Sequence, residues 1–146
     1  MKAVIQRVKE ASVEVGGQVV GKIGHGLLVF LGVSKDDGQK DIDWMIEKII
    51  NVRIFEREGK FDLSLLDIKG ELLLVSQFTL YGDCSKGRRP SFSDAMGVEK
   101  ARDLFEIFVA KAREKVVRVE TGVFQVHMDV KLVNDGPVTL IIDSKF

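Results

Sequence analysis

Apolar and polar positions alternate along the first third of the chain as they do in half-buried strands. Ala3 to Val15 keeps a partial period of two through Val4, Val8, Ser12 and Glu14. Gly16-Gly17 then offers a turn, and Gln18 to Ile23 continues as a second strand. Gly24-His25-Gly26 interrupts the pattern. Leu27 to Val33 is continuously apolar except for Gly32, as expected of a strand buried on both faces. These segments predict a meander of three strands. From Asp41 the period changes to that of a helix, with Ile42, Met45, Ile46, Ile49 and Ile50 on one stripe. A second helix is predicted from about Val98 to Val116 on Ala101, Leu104, Phe105, Phe108, Val109 and Ala112. Between the helices the pattern predicts a short strand at Arg53 to Phe55, a turn at Glu58-Gly59-Lys60 and an apolar strand from Glu71 to Phe78. After them come a strand from Phe124 to Val133, a turn at Asn134-Asp135-Gly136 and a last strand from Val138 to Ile142. Strands outnumber helices and their links are short, which favours antiparallel pairing. The expected fold is α+β, a single domain over residues 1–146 of mainly antiparallel, barrel-like sheet with two main helices.

Composition narrows the function classes. With 146 residues and 45% apolar content, the chain suits one core, and two prolines leave little room for disordered linkers. No apolar run is long enough to span a bilayer, and the first residues lack a signal-peptide core, so no membrane partner is expected. A single cysteine, Cys84, fits a reducing compartment, and a cytoplasmic location follows. Lysine plus arginine equals aspartate plus glutamate at 22 each. That balance supplies no general field for coating a polyanion, so no DNA partner is expected and RNA contact is confined to a local patch.

The usual catalytic machinery does not appear in the motifs. His25 and His127 lack any metal-ligand spacing, and no phosphate-binding or dinucleotide fingerprint is present, so neither metal nor cofactor is expected. Cys84 lies beside Lys86 and Arg88 but has no evident base. Two stretches stand out. Val75-Ser76-Gln77-Phe78-Thr79-Leu80-Tyr81-Gly82 places hydroxyl and amide groups at the end of an apolar strand, where a ligand site or simply a wetted strand face would use them. Asn134-Asp135-Gly136-Pro137 reads locally as a hairpin turn. Cys84 to Phe92 adds Lys86, Arg88 and Arg89 in a polar loop, which suits either RNA phosphates or solvent.

Ser76-Gln77-Phe78-Thr79-Leu80 and Asn134-Asp135-Gly136-Pro137-Val138-Thr139 resemble the two signature motifs of the D-aminoacyl-tRNA deacylases. The likeness extends through Ile5-Gln6-Arg7-Val8, Ala11-Ser12-Val13, Gly24 to Val29, Lys48-Ile49, Arg53-Ile54-Phe55 and Lys86 to Phe92. It implies a homodimer with active sites at the interface, binding the 3′ end of aminoacyl-tRNA without a cofactor. Gly136-Pro137 would form a cis peptide that enters the partner's pocket and rejects L side chains. Gln77, Phe78 and Thr79 would be the catalytic residues; Ser76, Ala101, Phe124 and Met128, with Gly136 and Pro137, would bind substrate. D-aminoacyl-tRNA would be hydrolysed and, by the same steric rule, mischarged glycyl-tRNA. The sequence departs from the family pattern at Gln125-Val126, where Gly-Ala is usual, at Phe61-Asp62 for Met-Asn, and at Gly97 for proline. Thr79 is either a nucleophile, which needs a base, or a positioning group while the ribose 2′-hydroxyl activates water; the missing base favours the second. The rivals are a non-catalytic module that binds the aminoacyl-tRNA end and a purely structural dimerisation domain.

Overall fold

A computed structural model describes residues 1–145. The first strand, β1 (Lys2–Val15), turns through Gly16-Gly17, both at positive φ, into β2 (Gln18–Ile23). The third strand, β3 (Gly26–Gly32), does not extend a meander beyond β2. It returns to pair antiparallel with the first half of β1, from Lys2↔Gly32 to Val8↔Gly26. β2 pairs with the other end of β1, from Ala11↔Ile23 to Val15↔Gln18. A 14-residue strand is long enough to serve two partners on one edge, so β1 rather than β2 is central.

After β3, helix α1 (Gln39–Asn51) buries Ile42, Met45, Ile46, Ile49 and Ile50, the stripe that the sequence predicts. Asp41 accepts from the Gly38 amide at 3.0 Å and satisfies an amide at the helix start. A hairpin follows, β4 (Phe55–Arg57) and β5 (Lys60–Leu63), two residues beyond the expected strand start. β6 (Glu71–Ser76) then lies parallel to β3, and β7 (Val119–Thr121) lies parallel to β6. These two pairings depart from the antiparallel expectation. Each is reached by a crossover containing a helix, α1 for the first and α2 (Val98–Lys115) for the second, as parallel strands require. Ion pairs Asp43–Lys111 and Glu47–Lys115 join the helices.

The last strand corrects the sequence reading most sharply. Residues 124–128 are irregular, and β8 (Asp129–Asp143) runs unbroken past Asn134-Asp135-Gly136, so there is no hairpin turn there. β8 pairs antiparallel with β1 along its length, with Thr139 opposite Gln6 and Asn134 opposite Val8. Four residues of β8 therefore face the single residue Arg7, and 135–138 are extruded as a large bulge.

The sheet curls into a nearly closed barrel with a core on each face. Leu27, Val29 and Leu31 of β3 face the helices with Ile5, Ile42, Met45, Phe105 and Phe108. Leu28 turns to the other face with Val8, Val13, Ile23, Leu73 and Val75. Among the described residues no helix is long and apolar enough to cross a membrane.

Candidate active site

β6 ends where the polar residues begin. The Gln77 amide donates to the Leu31 carbonyl at 2.8 Å, and residues 78–81 form one turn of 3-10 helix, so the strand stops two residues earlier than its apolar pattern suggests. This turn packs on the end of β3 because position 32 is glycine. A Cβ there would lie 3.0 Å from both the Gln77 carbonyl oxygen and Leu80 Cβ. Phe78 stays 56% exposed and meets Phe92 edge-on, with ring centroids 5.0 Å apart. The first amides of such a turn have no acceptor of their own. Among the described residues the Phe78 and Thr79 amides donate to nothing.

A cavity of about 600 Å³ opens beside this turn. Ser76, Gln77, Phe78, Ala101, Phe124 and Met128 all line it, so the fold brings together six of the nine residues singled out from the sequence. Thr79 stands just outside its walls, exposed, with Gln77 Nε2 donating to its hydroxyl at 2.5 Å. Gly136 and Pro137 are exposed and do not line it. The walls are mostly apolar and include Val75 of the stretch marked in the sequence, with Val33, Met96 and Val98, which no sequence signal marked as site residues. Met96 reaches the site because its amide bonds to Val33, 63 positions earlier in the chain.

The expected departure at Gln125-Val126 lies at this cavity. Gln125 has φ +65°, a conformation that favours glycine. Arg102 Nη2 donates to Gln125 Oε1 at 3.0 Å, while its guanidinium lies 5.1 Å from the Phe124 ring centroid. Gln125, Val126 and His127 join the cavity wall, though the His127 side chain is 94% exposed and its nearest acidic partner is Asp129 at 3.7 Å.

The extruded segment 135–137 is held from below. Arg7 is almost completely buried; its Nε donates to the Asp135 carbonyl at 2.8 Å and its Nη1 to the Ile54 carbonyl at 2.7 Å. Glu56 and the Asp135 carboxylate lie 3.4 and 3.5 Å from the guanidinium, and the Phe61 ring lies 5.7 Å from it. Asn134 closes the loop by accepting from the Val138 amide at 2.7 Å. The Gly136-Pro137 peptide is cis. Gly136 has φ +139°, and a Cβ there would meet Val138 Cγ2 at 2.9 Å and Arg7 Nη2 at 3.1 Å. His25, 57% exposed, sits edge-on to Phe55 and 4.0 Å from Asp135.

Cys84, Lys86, Arg88 and Arg89 are exposed in a loop closed by paired backbone bonds between Asp83 and Ser91. Hydrogen bonds from Ser85 hold the Asp83 carboxyl below its ordinary value. Burial, followed by the nearby Asp37, Asp143 and Asp41, pushes the Tyr81 phenol well above its usual range. Among the described residues no three His, Cys, Asp or Glu side chains cluster as a metal site would need.

Residues 4–143 match the profile of a family described as D-Tyr-tRNA(Tyr) deacylase. A D-aminoacyl-tRNA deacylase of Kosmotoga olearia is 62% identical over 146 residues, covering 99% of this chain and 98% of that one. One of Thermosipho africanus is 63% identical with the same coverage. Among solved structures, a c-Myc DNA unwinding element binding protein superposes with TM-score 0.95 at 43% identity over the whole of both chains. A probable eukaryotic D-amino acid tRNA deacylase shares the fold, with TM-score 0.82 at 16% identity over 97% of each chain.

Proposed function

Because the chain belongs to the D-Tyr-tRNA(Tyr) deacylase family and is a D-aminoacyl-tRNA deacylase, a hydrolase of ester bonds, we propose that two copies form its active sites jointly. One copy supplies the cavity at the end of β6, and the other inserts residues 135–137. The observation that carries this reading is the separation of the two signature segments. Ser76, Gln77 and Phe78 line the cavity, whereas Gly136 and Pro137 are exposed elsewhere on the same chain. The 15-residue β8 supports it further. Among the described residues β8 pairs only with β1, leaving one long edge open, and it exposes Val133 and Ile141 at 45% and 76%. A long open edge with apolar side chains is what an interface between copies covers.

In this reading the terminal adenosine of aminoacyl-tRNA enters the apolar cavity against Ala101, Phe124 and Met128, and Ser76 to Thr79 surround the ester. Phosphates of the acceptor end reach Lys86, Arg88 and Arg89. The backbone of 135–137 from the partner copy contacts the substrate's amino group and leaves no space for an L side chain. Selection by exclusion also admits glycine, so mischarged glycyl-tRNA is a substrate. The work is done where aminoacyl-tRNA is used, in the cytoplasm.

The ester is already activated, and among the described residues no basic side chain is hydrogen-bonded to Thr79. Its recorded side-chain partner is the Gln77 amide, while His25 and His127 engage Asp135 and Asp129. Thr79 is therefore a positioning group. Water, deprotonated with help from the ribose 2′-hydroxyl, attacks the ester carbonyl carbon. The Phe78 and Thr79 amides stabilise the oxyanion. The bond from carbonyl carbon to ribose oxygen breaks, that oxygen takes the proton, and D-amino acid and tRNA leave. Hydrolysis of D- and L-tyrosyl-tRNA by sub-stoichiometric enzyme in EDTA tests this. Multiple turnovers of the D ester with the L ester intact are expected. Equal cleavage of both, or one turnover only, overturns it.

A further inference from the structure

Arg102 is anchored on the cavity wall. Among the described residues it has no carboxylate within ion-pair distance, unlike Arg7, Arg53, Arg57 and Arg118 and like Arg88, Arg89 and Arg113. Its recorded partners are a neutral amide, Gln125 Oε1 at 3.0 Å, and the face of Phe124. Both of these residues line the cavity, whose own walls carry no Lys or Arg. Two residues of the cavity wall thus hold the guanidinium, with one of its five donors used by Gln125 and no ion pair among the described residues. Gln125 holds it from a left-handed backbone conformation that a residue with a Cβ adopts at a cost. That cost is offset by the side-chain bond to Arg102, a bond that glycine at this position could not make.

We propose that Arg102, fixed by Gln125, is a phosphate-binding residue at the cavity mouth, and that it takes the 5′ phosphate of the nucleotide whose ribose carries the ester. The inference rests on the reading that the terminal nucleoside occupies the cavity. Guanidinium suits this task because it presents two parallel donors to phosphate oxygens while its plane stays stacked on an aromatic face. The Phe124 contact and the Gln125 bond together leave the remaining edge of the fork for the ligand.

The test compares two small esters differing only in the phosphate: D-tyrosyl-adenosine and D-tyrosyl-adenosine 5′-monophosphate, alongside D-tyrosyl-tRNA. Arg102→Ala raises KM for the two phosphate-bearing substrates roughly tenfold, the worth of one charged hydrogen bond, with kcat little changed. KM for D-tyrosyl-adenosine stays as in the parent. Gln125→Gly, which frees the guanidinium without removing it, gives a smaller rise on the same two substrates. A KM rise equal on all three esters would mean that Arg102 only supports Phe124 and overturns the proposal, as would no change on any. Failure of the parent enzyme to cleave D-tyrosyl-tRNA would instead strike the functional reading on which it rests.

Discussion

Arg7 holds the segment proposed to select chirality, and its replacement has a magnitude that follows from its contacts. The guanidinium donates to two carbonyls, Asp135 at 2.8 Å and Ile54 at 2.7 Å, from an almost fully buried position. Hydrogen bonds to charged groups contribute about 1.5–3 kcal/mol each. The two share one side chain and are not additive, so Arg7→Ala costs about 3–5 kcal/mol, as removal of a buried charged partner usually does. The Glu56 contact adds little, since that side chain is 49% exposed. Arg7→Lys is the sharper perturbation. It keeps the charge, but a single ammonium cannot reproduce the fork that reaches both carbonyls. Loss of one bond, about 2 kcal/mol, lowers Tm by roughly 4–8 °C in a chain of this size. The fold survives, and the Asp135 carbonyl loses its fixed position. Misplacement by about 1 Å costs on the order of 100-fold in rate. We expect Arg7→Lys to remain dimeric by sedimentation and to lose kcat/KM for D-tyrosyl-tRNA by that order, with a reduced preference for D over L. A folded Arg7→Lys dimer with the parent's rate and selectivity would refute the claim that Arg7 positions the selector.

Thr79→Ala should retain hydrolysis within about tenfold of the parent, because a positioning group forms no covalent intermediate; a trapped acyl-enzyme on Thr79 would restore it as the nucleophile. Burial opposes the charged form of Asp41, but hydrogen bonds from Ser144, the Gly38 amide and Lys145 outweigh it and bring its pKa to about 2. A carboxylate depressed in the folded state stabilises the fold above its unfolded pKa of about 3.9 and loses that contribution as pH falls through its folded value. Asp41→Asn therefore destabilises by about 2 kcal/mol near neutral pH. Thermal unfolding should show the gap from the parent closing between about pH 4 and pH 2; a gap constant over that window contradicts the assignment.

What was legible in the sequence was local. The stripe from Ile42 to Ile50 and the run Leu27 to Val33 declare helix and doubly buried strand because burial repeats with the period of each element. The crossover pairings were hidden, since nothing in Glu71 to Ser76 says that its neighbour is β3 and that the two are parallel. Asn134-Asp135-Gly136 read as a turn by its own chemistry, yet it is a bulge within β8. Its shape is set by a partner 128 residues away, Arg7, whose place in an alternating strand gave no hint of that reach. The resemblance found the cavity residues Ser76, Ala101, Phe124 and Met128, which come from two separate elements, β6 and α2, and the loop before β8. It did not find Val33, Met96 or Arg102, whose positions depend on tertiary packing. Gln125 was visible as a departure from the expected pattern, and its φ of +65° lies in the region that favours glycine.

The joint active site is the central claim, and subunit mixing tests it most directly. Ala101→Trp fills the cavity of its own subunit, since Ala101 is a buried wall residue. Gly136→Ala spoils the selector, because its Cβ would lie 2.9 Å from Val138 Cγ2 and 3.1 Å from Arg7 Nη2 at a φ of +139°. Each variant alone should be nearly inactive on D-tyrosyl-tRNA. When equal amounts are unfolded together and refolded, half of the dimers are mixed. Each mixed dimer then holds one site with an intact cavity from one subunit and an intact selector from the other, so about a quarter of the parent's activity returns. If residues 135–137 instead served the cavity of their own chain, every site in the mixture would carry one of the two lesions. Activity would then stay at the level of the separate variants.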